Sequence, residues 1–111
     1  MPIYKAPLRD MQFTLNEVLE ANTFWQNTPK LSHVDGDTVN AILEAMAQFS
    51  EDILLPINRS GDEEGCTFNN GVVTVPTGFK EAFKQYAEGG WIGLGAEEEF
   101  GGQSMPKMLT V

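Results

Sequence analysis

Between Asp35 and Ile57 the apolar residues Val39, Ile42, Leu43, Met46, Phe49 and Ile53 recur at the helical period. Successive strand residues point to opposite faces, so this spacing suits a helix with one buried stripe and little else. Asp35 or Asp37 caps its start, because a short carboxylate side chain can accept from the N–H groups that a first turn leaves unpaired. Pro56 falls inside the continuation through Ile57, where it deletes a backbone donor and crowds the carbonyl four residues back. A bend or an early stop is expected there, with Gly61 as the terminator.

Such a stripe needs something to pack on, and the flanking sequence offers several short elements. Thr14 followed by Glu17 has the form of a capping box, which predicts a helix from Leu15 to Asn22. Tyr4 to Phe13 reads two ways: Leu8 and Met11 extend the same stripe backwards, whereas Phe13 lies off that face and Pro7 favours an extended entry. Thr28, Pro29 and Lys30 break the chain, and Asp62 to Gly65 is acidic and turn-prone. Thr67, Phe68, Val72, Val73 and Val75 flank Asn70-Gly71, a dipeptide suited to a tight hairpin. Thr77 is expected to cap a further helix whose Phe79, Ala82, Phe83, Tyr86 and Ala87 share a face, and Gly89-Gly90 ends it. Trp91, Ile92 and Leu94 then lead into a glycine-bearing loop, Gly95 to Ser104. Ser104 is expected to cap one more helix with Pro106 in its first turn, a helix that barely begins before Val111 and so reads as the cut edge of a longer chain. The fold expected is mainly α: a short bundle of three to four helices with a small β-hairpin near Phe68 to Val75, forming an incomplete domain.

A chain of 111 residues with 41% hydrophobic content is the size of one domain, and no repeat or linker divides it. Seven basic against sixteen acidic residues give a net charge of −9, which opposes binding to nucleic acid and to anionic lipid. The charge is spread along the chain, with eight acidic residues on either side of Leu55, so it reads as a solvated surface. Met1 to Arg9 has no signal-peptide core, and no apolar run is long enough to span a membrane. Cys66 is the only cysteine. It can form no internal disulfide, which fits a reducing, cytoplasmic setting.

Candidate chemistry fails on specific grounds. His33 is the single histidine, so a zinc site has too few ligands and a Ser-His-Asp set would depend on this one loop residue beside Ser32 and Asp35. Asp35-Gly36-Asp37 lacks calcium-loop ligands at Val39 and Met46. Gly93-x-Gly95 is followed by Glu98 where a dinucleotide fingerprint needs glycine. Glu97, Glu98 and Glu99 diverge in a glycine-bounded loop, a poor setting for a carboxyl that must be buried to act as an acid. Cys66 has no neighbouring cation to stabilise a thiolate. The residues therefore name no catalytic, cofactor-binding or metal position.

The wording of four segments carries more than their periodicity. Residues 4–20 (YKAPLRDMQFTLNEVLE), 49–66 (FSEDILLPINRSGDEEGC), 75–83 (VPTGFKEAF) and 88–106 (EGGWIGLGAEEEFGGQSMP) resemble, in order and at compatible spacing, the front of the acyl-CoA dehydrogenases that carry an N-terminal extension. Ala96 departs from that pattern where proline or a polar residue is expected, and Ser104 departs where glycine is common. The resemblance implies that residues 1–34 are the extension and residues 35–111 the start of the helical domain. It implies an FAD-dependent enzyme of fatty acid β-oxidation that removes hydrogens from the α and β carbons of a fatty acyl-CoA, and the expected partners follow from that: the missing middle and C-terminal domains, the acyl-CoA, and further copies in a homo-oligomer. In that family the flavin and the carboxylate base lie outside the part resembled, so this segment is expected to bind no FAD and to contribute packing and enclosure of the substrate tail, leaving an apolar patch exposed. The alternatives are a stand-alone helical interaction module and a small acyl-binding protein.

Overall fold

The computed structural model describes residues 3–111; the Met1–Pro2 end of the expected extension lies outside the described residues. The fold is mainly α with one antiparallel hairpin. Helix α1 (Leu8–Phe13) widens into a π-helical turn at Thr14–Val18, and α2 (Ala21–Gln26) follows directly. After a 3-10 turn at Pro29–Leu31, α3 (Gly36–Phe49) runs through a second π-helical turn, Ser50–Leu54, into α4 (Leu55–Glu64). Strands β1 (Thr67–Asn69) and β2 (Val72–Thr74) pair with Phe68 opposite Val73, and α5 (Phe79–Glu88) crosses back before the C-terminal loop.

Several elements form as the residues dictate. Asp35 caps α3 by accepting the Thr38 N–H at 2.7 Å. Asn70 and Gly71, with φ of 50° and 80°, take the paired left-handed conformations of a hairpin turn whose twist matches that of its strands. Gly90, at φ 79°, closes α5 and lets the Trp91 N–H reach back to the Tyr86 carbonyl.

Other expectations are corrected. Thr14 is not a cap: it is helical itself, at φ −62° and ψ −47°, because the helix has already started behind Pro7, whose carbonyl accepts the Met11 N–H. The expected helix from Leu15 to Asn22 is instead broken at Glu20, which adopts the left-handed region at φ 46°. Pro56 neither stops the rod nor ends it early. The turn before it widens so that the Leu55 N–H bonds the Ser50 carbonyl five residues back, and the helix passes through the proline.

Gly61 is not a terminator either. It is buried inside α4 with the Phe79 ring lying where a Cβ would sit, and α4 ends at Gly65, φ 66°. Thr77 caps nothing: its N–H and hydroxyl both donate to the Glu64 carboxylate at 3.0 Å, tying the start of α5 to the end of α4, while Gly78 at φ 90° precedes the helix. A charged acceptor facing two donors outcompetes the local cap. The helix expected after Ser104 is a single 3-10 turn, Lys107–Leu109.

The α3–α4 rod spans 29 residues, about 43 Å at 1.5 Å per residue. It sets the long axis of a slab measuring 54 × 36 × 16 Å. The main core cluster buries Leu15, Ala21, Trp25, Val34 and Val39, with Leu31, Leu43, Met105 and Leu109 packed against them. Farther along, α5 rests on the rod through Phe49 against Tyr86, with ring centroids 6.1 Å apart, and through Phe79 over Gly61.

Candidate functional site

A half-open groove of about 600 Å³ lies between α1 and α3. Leu8, Met11 and Leu15 form one wall, because a spacing of three and four residues brings them onto one face of the first helix. Ile42, Leu43 and Met46 form the facing wall by the same rule on α3. Tyr86, Trp91 and Leu94 close one side, and Met108 to Val111 lie along the other. These two helical stripes are legible in the sequence. That the end of α5 and the last four residues converge on the same trough has no local signal.

Electrostatically the groove is bare. Among the described residues, Asp10 is the only charged one that lines it, and no Lys or Arg does. Its entrance is braced by Glu51, which accepts the Ala6 N–H at 2.9 Å and the Lys5 ammonium at 3.0 Å. The backbone N–H of Ala6, and after it Lys5, hold the Glu51 carboxyl below the ordinary glutamate range. These contacts fasten the segment ahead of α1 to the end of α3.

The acidic loop is a second, smaller feature. Backbone bonds from Ala96 and Gln103 N–H to Gly93 O, from Ser104 to Ala96 O and from Met105 to Leu94 O close it tightly. Gly102 lies so close to the Ala96 carbonyl that a Cβ would overlap it. Ser104 adopts φ 52°, a conformation natural to glycine, and its hydroxyl accepts the Glu98 N–H at 3.0 Å. The serine thus replaces by a cap what it gives up in backbone ease. Glu97, Glu98 and Glu99 are exposed, with Glu97 3.6 Å from Lys30, a solvated pair of little energetic weight.

The residues tested for nucleophilic chemistry are not brought together. His33 Nε2 donates to the Ser104 carbonyl at 3.2 Å, the Ser32 hydroxyl donates to the Pro29 carbonyl, and Asp35 is engaged by Thr38. Cys66 is exposed. Among the described residues, no group of three or more His, Cys, Asp or Glu is placed to hold a metal ion. The groove between α1 and α3 sets no Lys or Arg on its lining for a dinucleotide's pyrophosphate, and the hollow at the acidic loop sets Lys30 among three glutamates.

Comparison with known proteins fits a piece of a larger protein. The chain is 32% identical over 109 residues to the 3-methylmercaptopropionyl-CoA dehydrogenase of Ruegeria pomeroyi, covering 96% of this chain and 18% of that protein. It is 30% identical over 112 residues to a broad-specificity linear acyl-CoA dehydrogenase of Mycobacterium tuberculosis, covering 99% and 18%. A butyryl-CoA dehydrogenase of Syntrophomonas wolfei is 29% identical over 90 residues, covering 78% and 15%. No family model matches. The chain is mainly helical, and it belongs to the acyl-CoA dehydrogenase family. It spans less than a fifth of the length of the curated relatives it matches.

Proposed function

We propose that the chain serves as the N-terminal part of an FAD-dependent acyl-CoA dehydrogenase, where it packs against the remainder of the enzyme and helps enclose the acyl tail, with no catalytic residue of its own. Residues 1–34 act as the extension and residues 35–111 as the first part of the helical domain. In the whole enzyme FAD accepts the electrons removed from the acyl chain, and this segment contributes apolar walls that keep water away. The enzyme is read as a cytoplasmic homo-oligomer of fatty acid β-oxidation.

One observation carries this reading. A compact 12.2 kDa protein exposes about 6,100 Å², whereas this chain exposes 8060 Å². The excess, about 2,000 Å², is the size of a large protein interface. Much of it is apolar, with Phe13, Val18, Phe24, Phe68, Phe83, Ile92 and Phe100 each more than half exposed. A stand-alone module has no reason to leave so much apolar surface in water.

Expressing the chain alone and within a polypeptide of the relatives' length tests the proposal. The long protein is expected to bind FAD stoichiometrically and to oxidise an acyl-CoA, and residues 1–111 alone to do neither. Flavin binding or acyl-CoA oxidation by the short chain, or a long protein inert towards every acyl-CoA, would overturn it.

A further inference from the structure

We infer that residues 3–7 are a strap latched by Glu51, and that release of this one side chain opens the end of the groove between α1 and α3. Tyr4 and Ala6 line the groove together with Ser50, the residue before Glu51, so the strap forms part of its wall. Little else holds it: Ile3 is 86% exposed, Tyr4 43%, and Lys5 and Pro7 are exposed as well. Apolar burial this slight gives weak adhesion. Both Glu51 oxygens are committed to the strap, one accepting the Ala6 N–H at 2.9 Å and the other the Lys5 ammonium at 3.0 Å. The first is the stronger hold, because a partly buried N–H on a carboxylate is a charge-assisted bond, whereas the Lys5 side chain is 80% exposed and screened by water. The corner where the strap meets α1 supplies the hinge. Around Pro7, at φ −78° and ψ 60°, the Leu8 N–H donates to the Ala6 carbonyl at 2.8 Å, which makes an inverse γ-turn. The proline ring fixes φ but not ψ, so rotation about Pro7 ψ swings the strap away from Glu51 while α1 stays in place. Every group involved lies within residues 3–51, so the inference is independent of the enzyme reading.

The test uses the relatives'-length protein and two readouts. Hydrogen exchange of the Ala6 amide reads the latch. Maleimide alkylation of a thiol placed by Ala47→Cys, with Cys66→Ser, reads the groove on the peptide that carries position 47, since Ala47 lines the groove one helical turn before Glu51 and is only 7% exposed. Glu51→Ala is expected to speed both by about tenfold or more, the effect of losing a charge-assisted bond. Lys5→Gln should change either rate by less than about threefold. Glu51→Gln, which keeps an oxygen for the Ala6 N–H, should retain most of the protection. An Ala6 amide indifferent to Glu51→Ala, faster exchange with no change in alkylation, or a Lys5→Gln effect as large as that of Glu51→Ala would each overturn the inference. So would an equal rise at the Val39 amide, which bonds the Asp35 carbonyl at 3.1 Å, because that would mark general loosening and not release of a strap.

Discussion

At the scale of single residues, Trp25 decides most. Its side chain is fully buried at the centre of the small core, yet its indole Nε1 has no hydrogen-bond partner, and the nearby Asn22 Oδ1 is also buried without one. Ring burial and an unpaired donor act in opposite directions. Truncating a buried aromatic costs roughly 3–5 kcal/mol, whereas an unsatisfied buried polar group costs about 1–3 kcal/mol. Trp25→Ala is therefore expected to destabilise by about 3–5 kcal/mol in urea denaturation, and Trp25→Phe by less than half as much, because it keeps most of the apolar ring while removing the orphaned donor. Equal losses for both would show that the indole N–H is paired. Burial of Trp25 cannot be read from its neighbours in sequence, since Phe24 beside it is 60% exposed.

Among elements, the joint between α4 and α5 is the contact that local signals misread. A glycine inside a helix costs about 1 kcal/mol relative to alanine, so Gly61 looks like a terminator until the Phe79 ring over it is seen. Gly61→Ala should destabilise despite its better helix propensity, and Phe79→Leu should restore most of the loss in a double-mutant cycle. Additive effects would mean that the ring does not seat there. The two ends of α3 have a shared pH dependence. Hydrogen bonding from Thr38 lowers the Asp35 carboxyl below its ordinary range, as the Ala6 N–H and Lys5 lower Glu51. Depressed carboxylate values stabilise the fold above the unfolded pKa of about 4, and that contribution is lost as pH falls through the folded values. The melting temperature of the native chain should thus exceed that of an Asp35→Asn, Glu51→Gln double variant at pH 7, with the gap closing below about pH 4. A gap that persists at pH 2 would refute the assignment.

Across the whole molecule, thinness is the dominant property. The radius of gyration is 17.2 Å, against about 13 Å for a compact chain of this length. A slab 16 Å thick is between one and two helices deep, so most apolar stripes have one covered flank at best. Residues 1–111 alone should bind an environment-sensitive apolar dye and associate as concentration rises, while the relatives'-length protein should do neither to a comparable degree. A dye-silent, monomeric short chain would show that the exposed faces close on themselves. The described residues contain no helix long and apolar enough to cross a membrane.

Local chemistry was enough to determine the helical stripe of α3 with its Asp35 cap, the Asn70-Gly71 turn and the glycine stop of α5, because each depends on residues a few positions apart. The wording of four segments likewise carried the family. Only the tertiary structure decided that Pro56 is passed by a widened turn, that Thr77 answers to Glu64, that Ser104 caps Glu98, and that two stripes and the last residues line one groove. Those outcomes depend on partners distant in sequence, whose contacts exist only once the chain has folded, and a local propensity of about 1 kcal/mol yields readily to them.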